Sequence, residues 1–341
     1  MSMIRVLAPL AVIAALLAVA CGGDDGGATL VPASATTTTA PVTASAVASP
    51  TPVRPTELRI ATINLTSPLT LDANDPVAGD TFEPRLKLLA EELKQLNPDV
   101  IGFNEASVTA RGSASAYLAK ELKMEPIYLR ANPWFPGQSK EQSDELVKLT
   151  GFEEGELFLV RTDRWPLARD PEFVVLNPRT SETGERRIGL HIRLKAAEPT
   201  GAIDIYLTHL TGGGERIRQQ QAQYFANWVE QTRGDGPVIV LGDFSETPDS
   251  AALAVFPPLG LKDVAAPQTW GTCCRESVVG DSEALTTRTD YILAGRWLPS
   301  SVALFGQKPG QRADGAPLYA SDHNGLIAEF DLAAYSAPAI P

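Results

Sequence analysis

Ser321-Asp322-His323 stands just ahead of the apolar run Leu326-Ile327-Ala328, and a second apolar run, Ile203-Asp204-Ile205-Tyr206-Leu207-Thr208, ends on His209. The chain has only 3 histidines, so both of these at the ends of strand-like runs form a pattern. Acidic and amide residues take the same station elsewhere. Asn64 closes Leu58-Arg59-Ile60-Ala61-Thr62-Ile63, Glu105 closes Asp99-Val100-Ile101-Gly102-Phe103-Asn104, and Asp243 follows Pro237-Val238-Ile239-Val240-Leu241-Gly242. Asp290 opens Asp290-Tyr291-Ile292-Leu293. Singly, Asp or Asn after a strand is an ordinary turn residue. As a set, carboxylates and imidazoles gathered at strand ends make a hard-cation site beside a proton-transfer pair.

Between these ends the sequence alternates strands with helices. Leu86, Leu89, Leu93 and Leu96 recur at helical spacing, which predicts a helix over 82–96 with Pro84 in its first turn. Further helices are expected over 113–122, 139–149 and 216–231. Strands are expected over 58–65, 99–105, 126–129, 156–160, 172–176, 187–194, 202–207, 237–241, 289–293, 301–305 and 324–330. Strands outnumber helices, and helices fall between strands. This favours an α/β fold: a four-layer sandwich of two packed mixed β-sheets flanked by helices, in one domain over 57–335.

The composition is that of a globular protein, with 44% apolar and 21% charged residues in 341. The formal net charge is -12. Affinity for duplex nucleic acid comes mostly from neutralising phosphates, so this charge disfavours such a partner, while an acidic site concentrates divalent cations. Residues 1–20 read as a signal peptide: Arg5 precedes an uncharged apolar run, Val6 to Ala20, that is short for a bilayer span. Ala18-Val19-Ala20-Cys21 resembles a bacterial lipobox and implies cleavage before Cys21 and a lipid on its sulfur. Ordinary secretory cleavage without lipid is the alternative. Residues 21–56 then form an Ala/Thr/Pro/Ser-rich tether that buries too little apolar surface to fold. Of 3 cysteines, Cys273 and Cys274 remain as neighbours, read as a structural or redox-labile turn and not a catalytic thiol. Arg186-Arg187 reads as a solvated strand edge, with phosphate contact as the alternative. Asn104 is expected to point away from Glu105 by strand alternation.

The order of Ala61-Thr62-Ile63-Asn64, Pro98 to Glu105, Thr208-His209-Leu210, Gly242-Asp243-Phe244-Ser245, Thr289-Asp290-Tyr291-Ile292 and Ser321-Asp322-His323 resembles the endonuclease/exonuclease/phosphatase family, whose fold is DNase-like. Carried onto this sequence, the resemblance implies that Glu105 binds Mg²⁺ or Mn²⁺, with Asn64 beside it and Asp322 supporting the metal or its network. It implies that His209 hydrogen-bonds a phosphate oxygen or serves as general acid. Asp243 would orient or deprotonate the attacking water, and Asp290 would fix the tautomer of His323 and raise its basicity. Phosphate contacts would come from Asn64, His209 and position 245, where the family usually has Asn and this chain has Ser245. The implied protein is a lipid-anchored, metal-dependent phosphoesterase at the extracytoplasmic face of the cell membrane. Its substrate would be nucleic acid, a phospholipid headgroup or a small phosphorylated metabolite, with no protein partner inferred. Ser245 supports the rival reading, a surface lipoprotein that binds without turnover.

Overall fold

The computed structural model describes residues 55–69, 81–135, 137–176, 186–198, 200–295 and 297–335. The expected signal peptide, Cys21 and nearly all of the tether lie outside the described residues. Among the described residues, no helix is long and apolar enough to cross a membrane.

Two mixed sheets build the domain. The seven-stranded sheet runs β12 (Ser301–Phe305), β15 (Gly325–Asp331), β1 (Glu57–Asn64), β2 (Val100–Thr109), β5 (Glu153–Val160), β4 (Glu125–Asn132), with β3 (Gly112–Ser113) paired to β2. The six-stranded sheet runs β10 (Leu261–Asp263), β11 (Asp290–Gly295), β9 (Val238–Asp243), β8 (Ala202–His209), β7 (Ile188–Lys195), β6 (Glu172–Val175). A small ribbon pairs β13 (Gly310–Gln311) with β14 (Pro317–Leu318). In each large sheet one pair is parallel, β1 with β2 and β8 with β9. Parallel neighbours need a long crossover, and helices supply it: α1 (Phe82–Leu96) and α4 (Glu215–Thr232). Two further helices are α2 (Ala114–Leu122) and α3 (Lys140–Thr150).

Local chemistry sets these boundaries. Ser113 caps α2 by accepting from the Ala116 N–H at 3.2 Å, a contact worth about 1 kcal/mol. Ser139 and Gln142 form a reciprocal capping box at the start of α3. α1 ends on Asn97 in a left-handed conformation, just before Pro98.

Packing follows strand alternation. Leu58, Ile60, Phe158, Ile203, Ile205, Leu207, Ile239, Leu241 and Ile292 fill the space between the sheets. Ala61, Ile63, Ile101 and Phe103 face the other way, onto Leu86, Leu89 and Leu93 of α1 and Leu118 of α2. Tyr206, Val240 and Tyr291 meet Phe225, Ala226 and Val229 of α4. Each such Leu, Ile or Phe contributes roughly 1.5–3 kcal/mol by burial. The layers are therefore helix, sheet, sheet, helix, the expected α/β sandwich.

Candidate active site

The inter-sheet layer turns polar at one end. On β1 the inward residues are Leu58, Ile60, Thr62 and then Asn64. On β8 they are Ile203, Ile205, Leu207 and then His209. On β9 they are Ile239, Leu241 and then Asp243, and on β11 Ala294, Ile292 and then Asp290. The same alternation that builds the core thus delivers four polar side chains to one spot.

Their contacts interlock. Asn64 Nδ2 donates to Glu105 Oε1 at 3.1 Å and to Asp243 Oδ2 at 3.0 Å. The Ser67 N–H also donates to Glu105. Asp243 Oδ2 lies 3.6 Å from His209 Nε2 and 3.8 Å from His323 Nε2. The other nitrogen of His323, Nδ1, is 2.8 Å from Asp290 Oδ2. Arg187 Nη1 donates to His209 Nδ1 at 2.8 Å. Thr66 binds the Asp322 carboxylate through its hydroxyl and accepts from the Asp322 N–H at 3.1 Å.

Two buried arginines hold the Ser321-Asp322-His323 loop. Arg85 donates to Leu65 O at 2.7 Å, Ala320 O at 3.0 Å and Thr66 O at 3.2 Å. Arg275 donates to Ser321 O and His323 O, each at 3.1 Å, and stacks on Tyr319. Burial lowers the Arg85 pKa to about 10, but the guanidinium stays charged near neutrality.

The two histidines are driven in opposite directions. Burial, then the Arg187 and His323 charges, hold His209 well below the usual imidazole range. Its Nδ1 accepts from Arg187, so its proton sits on Nε2, aimed at Asp243. Burial alone would depress His323 too. The Asp290 carboxylate, with Asp322 and Asp243 behind it, outweighs burial and holds His323 well above that range. Burial and then Asp290 raise Asp243 to about 6. Burial, then Asp322, raises Glu105.

These groups fit a hard divalent cation. The Asp322 charge disfavours that of Glu105, which a cation would relieve. Asp290 Oδ1 is buried with no hydrogen-bond partner among the described residues. Ligand atoms of Asp243, Asp290 and His323 all lie within 4.8 Å of one another. Oxygen donors of this kind suit Mg²⁺ or Mn²⁺.

The structure brings Asn64, Glu105, His209, Asp243, Asp290, Asp322 and His323 into one connected network. The Asn64 oxygen accepts from the Thr66 N–H at 2.9 Å, so it is the amide nitrogen that faces the carboxylates. As placed, Asn64 bridges Glu105 and Asp243, and direct metal ligation would require the amide to turn over. Ser245 sits next to the network. Its N–H donates to Asp243 Oδ1 at 2.7 Å and its hydroxyl to Leu210 O at 3.2 Å, so the hydroxyl proton is already in use.

Three readings from sequence need correction. β2 does not stop at Glu105 but runs to Thr109, across a bulge in which Asn104 and Glu105 together oppose Glu156 of β5. Glu105 has φ 56, which turns its carboxylate toward Asn64, so alternation does not separate it from Asn104. Asn104 is also not a bystander. It donates to Glu156 and to Thr208 O, and its oxygen accepts from the Asp243 N–H at 2.8 Å, tying the sheets together beneath the site. Arg186 and Arg187 are both buried, not a solvated edge, and Arg186 stacks on Trp134 at 3.9 Å. Glu154 and Glu156 were missed from sequence. Burial, then the Glu105 charge, raises Glu154 to about 7, and burial raises Glu156 to about 8 against the Asn104 hydrogen bond. Glu156 carries a readable signal, an acid on the inward parity of Phe158 and Val160.

At one end of its inter-sheet layer this α/β sandwich gathers a histidine–aspartate pair and a buried cluster of carboxylates, groups suited to acid–base hydrolysis. The profile of the endonuclease/exonuclease/phosphatase family matches residues 75–323, and the chain belongs to that family. It is accordingly a hydrolase of phosphoester bonds, and the family's general dependence on a divalent metal agrees with the donors described. Curated protein sequences give no match. Among solved structures, a family member from Bacteroides thetaiotaomicron has 17% identity and a TM-score of 0.63, over 82% of this chain and 98% of that one. A member from Beutenbergia cavernae has 19% identity and a TM-score of 0.61, over 84% of this chain and 74% of that one. A mannosyl-6-phosphatase from Bacteroides thetaiotaomicron has 17% identity and a TM-score of 0.62, over 80% of this chain and 99% of that one. These likenesses concern the fold.

Proposed function

We propose that the protein hydrolyses small phosphoesters, or the phosphate of a lipid headgroup, by in-line attack of water at this site. The observation that carries the reading is the placing of Asp243 3.6 Å from His209 and 3.8 Å from His323, two imidazoles whose surroundings push their pKa values in opposite directions. Neutral His209 offers its Nε2–H to a phosphate oxygen. Charged His323, steadied by Asp290, faces the developing negative charge and has a proton to give to the leaving oxygen. Asp243, a stronger base than an ordinary aspartate, takes the proton of the attacking water. Glu105 and Asp322 would hold Mg²⁺ or Mn²⁺, which would supply Lewis-acid polarisation of the phosphoryl group. A phosphatase with the same fold favours a small ester as substrate, and so does the net charge of -12. The lipobox-like Ala18-Val19-Ala20-Cys21 supports an extracytoplasmic, lipid-anchored location.

The test is hydrolysis of p-nitrophenyl phosphate, bis-p-nitrophenyl phosphate, sphingomyelin vesicles and plasmid DNA by the full chain, with Mg²⁺, Mn²⁺ or a chelator. Turnover should need metal, and His323→Ala should lower it by roughly 10²–10⁴. Folded protein without metal-dependent turnover of any ester would sink the reading. Equal activity in His323→Ala would remove the assigned pair. Cys21→Ala should shift the protein from the membrane to the soluble fraction of a bacterial host, and unchanged fractionation would contradict the anchor.

A further inference from the structure

Segment 272–275 grips the Ser321-Asp322-His323 loop. The Asn324 N–H donates to Thr272 O at 2.7 Å, and the Arg275 N–H donates to Asp322 O at 2.9 Å. Between these anchors lie Cys273 and Cys274, joined as a disulfide. The grip brings Cys274 Sγ to 3.5 Å from His323 Nε2, the ring nitrogen that Asp290 leaves open. Cys274 is exposed and Cys273 half-buried. Both border a cavity of about 650 Å³ whose lining includes Glu276, Asp281 and Thr287. Ligand atoms of Cys273, Cys274 and His323 all lie within 4.8 Å of one another.

We propose that the reduced pair, together with His323 Nε2, is a binding site for one thiophilic divalent cation such as Zn²⁺, and that the disulfide keeps this site closed. Two thiolates and an imidazole are three of the four ligands of a tetrahedral zinc site, with water as the fourth. Sulfur donors select soft cations, whereas the neighbouring carboxylates select hard ones. The two sites therefore take different metals, and the soft one draws His323 away from the catalytic pair. A phosphine reductant opens the pair: the S–S bond breaks, phosphorus becomes the phosphine oxide with oxygen from water, and the two water protons end on the two sulfurs. Zinc binding then releases the two thiol protons and the Nε2 proton of His323, and occupies that nitrogen. That occupancy stops proton transfer by His323. This second half rests on the role given to His323 above, whereas the metal binding does not.

The test uses the full chain, oxidised or reduced with tris(carboxyethyl)phosphine that is then removed without air. Equilibrium dialysis against Zn²⁺ in excess Mg²⁺ is read by elemental analysis. Reduced protein should hold one more Zn²⁺ per chain than oxidised protein. Cys273→Ser/Cys274→Ser should lose that ion, and His323→Ala should bind it at least about tenfold more weakly. Alkylation of the reduced wild type with iodoacetamide should give the same loss without any substitution. Hydrolysis of bis-p-nitrophenyl phosphate should fall with zinc occupancy in the reduced protein alone. Equal zinc in both redox states, or zinc retained after alkylation, would overturn the site. Zinc uptake with undiminished hydrolysis would overturn the inhibition. An absence of hydrolysis in either state would overturn the proposed function and leave the zinc count to decide this inference.

Discussion

Asp204 and Asp290 are two buried aspartates of one sheet, each bonded to a histidine. Asp204 Oδ1 lies 2.7 Å from His191 Nε2, and Asp290 Oδ2 lies 2.8 Å from His323 Nδ1. What differs is what remains open. Asp204 also accepts from Arg193 and from the Gly234 N–H, and His191 is stacked 4.0 Å from the Tyr206 ring. Every part of that pair is enclosed, so it stabilises. At Asp290 one oxygen has no partner among the described residues, and His323 Nε2 is turned toward Asp243, 3.8 Å away, and Cys274. Burial alone would raise Asp204, but the bonds from His191, Arg193 and Gly234 outweigh it and hold its pKa below 3.8. The folded state therefore gains stability from ionised Asp204 above the unfolded pKa of about 3.9, and loses it as pH falls through the lower folded value. Asp204→Asn should cost about 3 kcal/mol at pH 7, a drop in Tm of roughly 6–10 °C. The gap should narrow below about pH 4. Thermal melts of both proteins across pH check this, and a gap independent of pH would show that the ionised carboxylate is not the stabilising form.

At the scale of elements, the spacing of the two sheets sets the site. A Cβ on Gly102 would lie 3.0 Å from Leu207 Cδ1 and 3.1 Å from Leu241 Cδ1, so β2 of one sheet closely approaches β8 and β9 of the other. Two residues on, Asn104 bonds Thr208 O and the Asp243 N–H across that gap. Gly102→Val should force the sheets apart at a cost of roughly 1–3 kcal/mol. It should also lower turnover, because Asp243 loses its backing. Steady-state rates on folded protein decide, and an unchanged rate beside a lowered Tm would uncouple the spacing from the site. Much of this architecture was legible in the sequence. The expected helix over 82–96 and strand over 301–305 are the observed α1 and β12, and the polar residues at the ends of apolar runs did converge. The bulge was not legible, because a glutamate at positive φ leaves no mark in residue type or spacing. Arg187 was not either. It precedes β7, where alternation does not direct a side chain, and its partner His209 lies 22 residues on.

For the molecule as a whole, the charge of -12 acts on every anionic substrate before contact. A polyanion meets more of that field than a small ester. Hydrolysis of plasmid DNA should therefore be slow at low ionic strength and rise as salt is added toward 0.1 M, where the screening length is about 10 Å. Hydrolysis of bis-p-nitrophenyl phosphate should change little over the same range. A DNA rate that instead falls steeply with salt would reveal a phosphate-neutralising groove and reverse the substrate preference argued above.

The kink at Asn104 and Glu105 carries one residue more than β5 can match. Deleting that residue would give β2 an unbroken ladder, which by pairing alone looks like a repair. It would also leave a single inward station between Phe103 and Ala106, which both face the helices, where Asn104 now ties the sheets and Glu105 meets Asn64, so one of the two side chains would be lost. A single in-frame codon loss here would therefore leave a better-formed strand and a dead site.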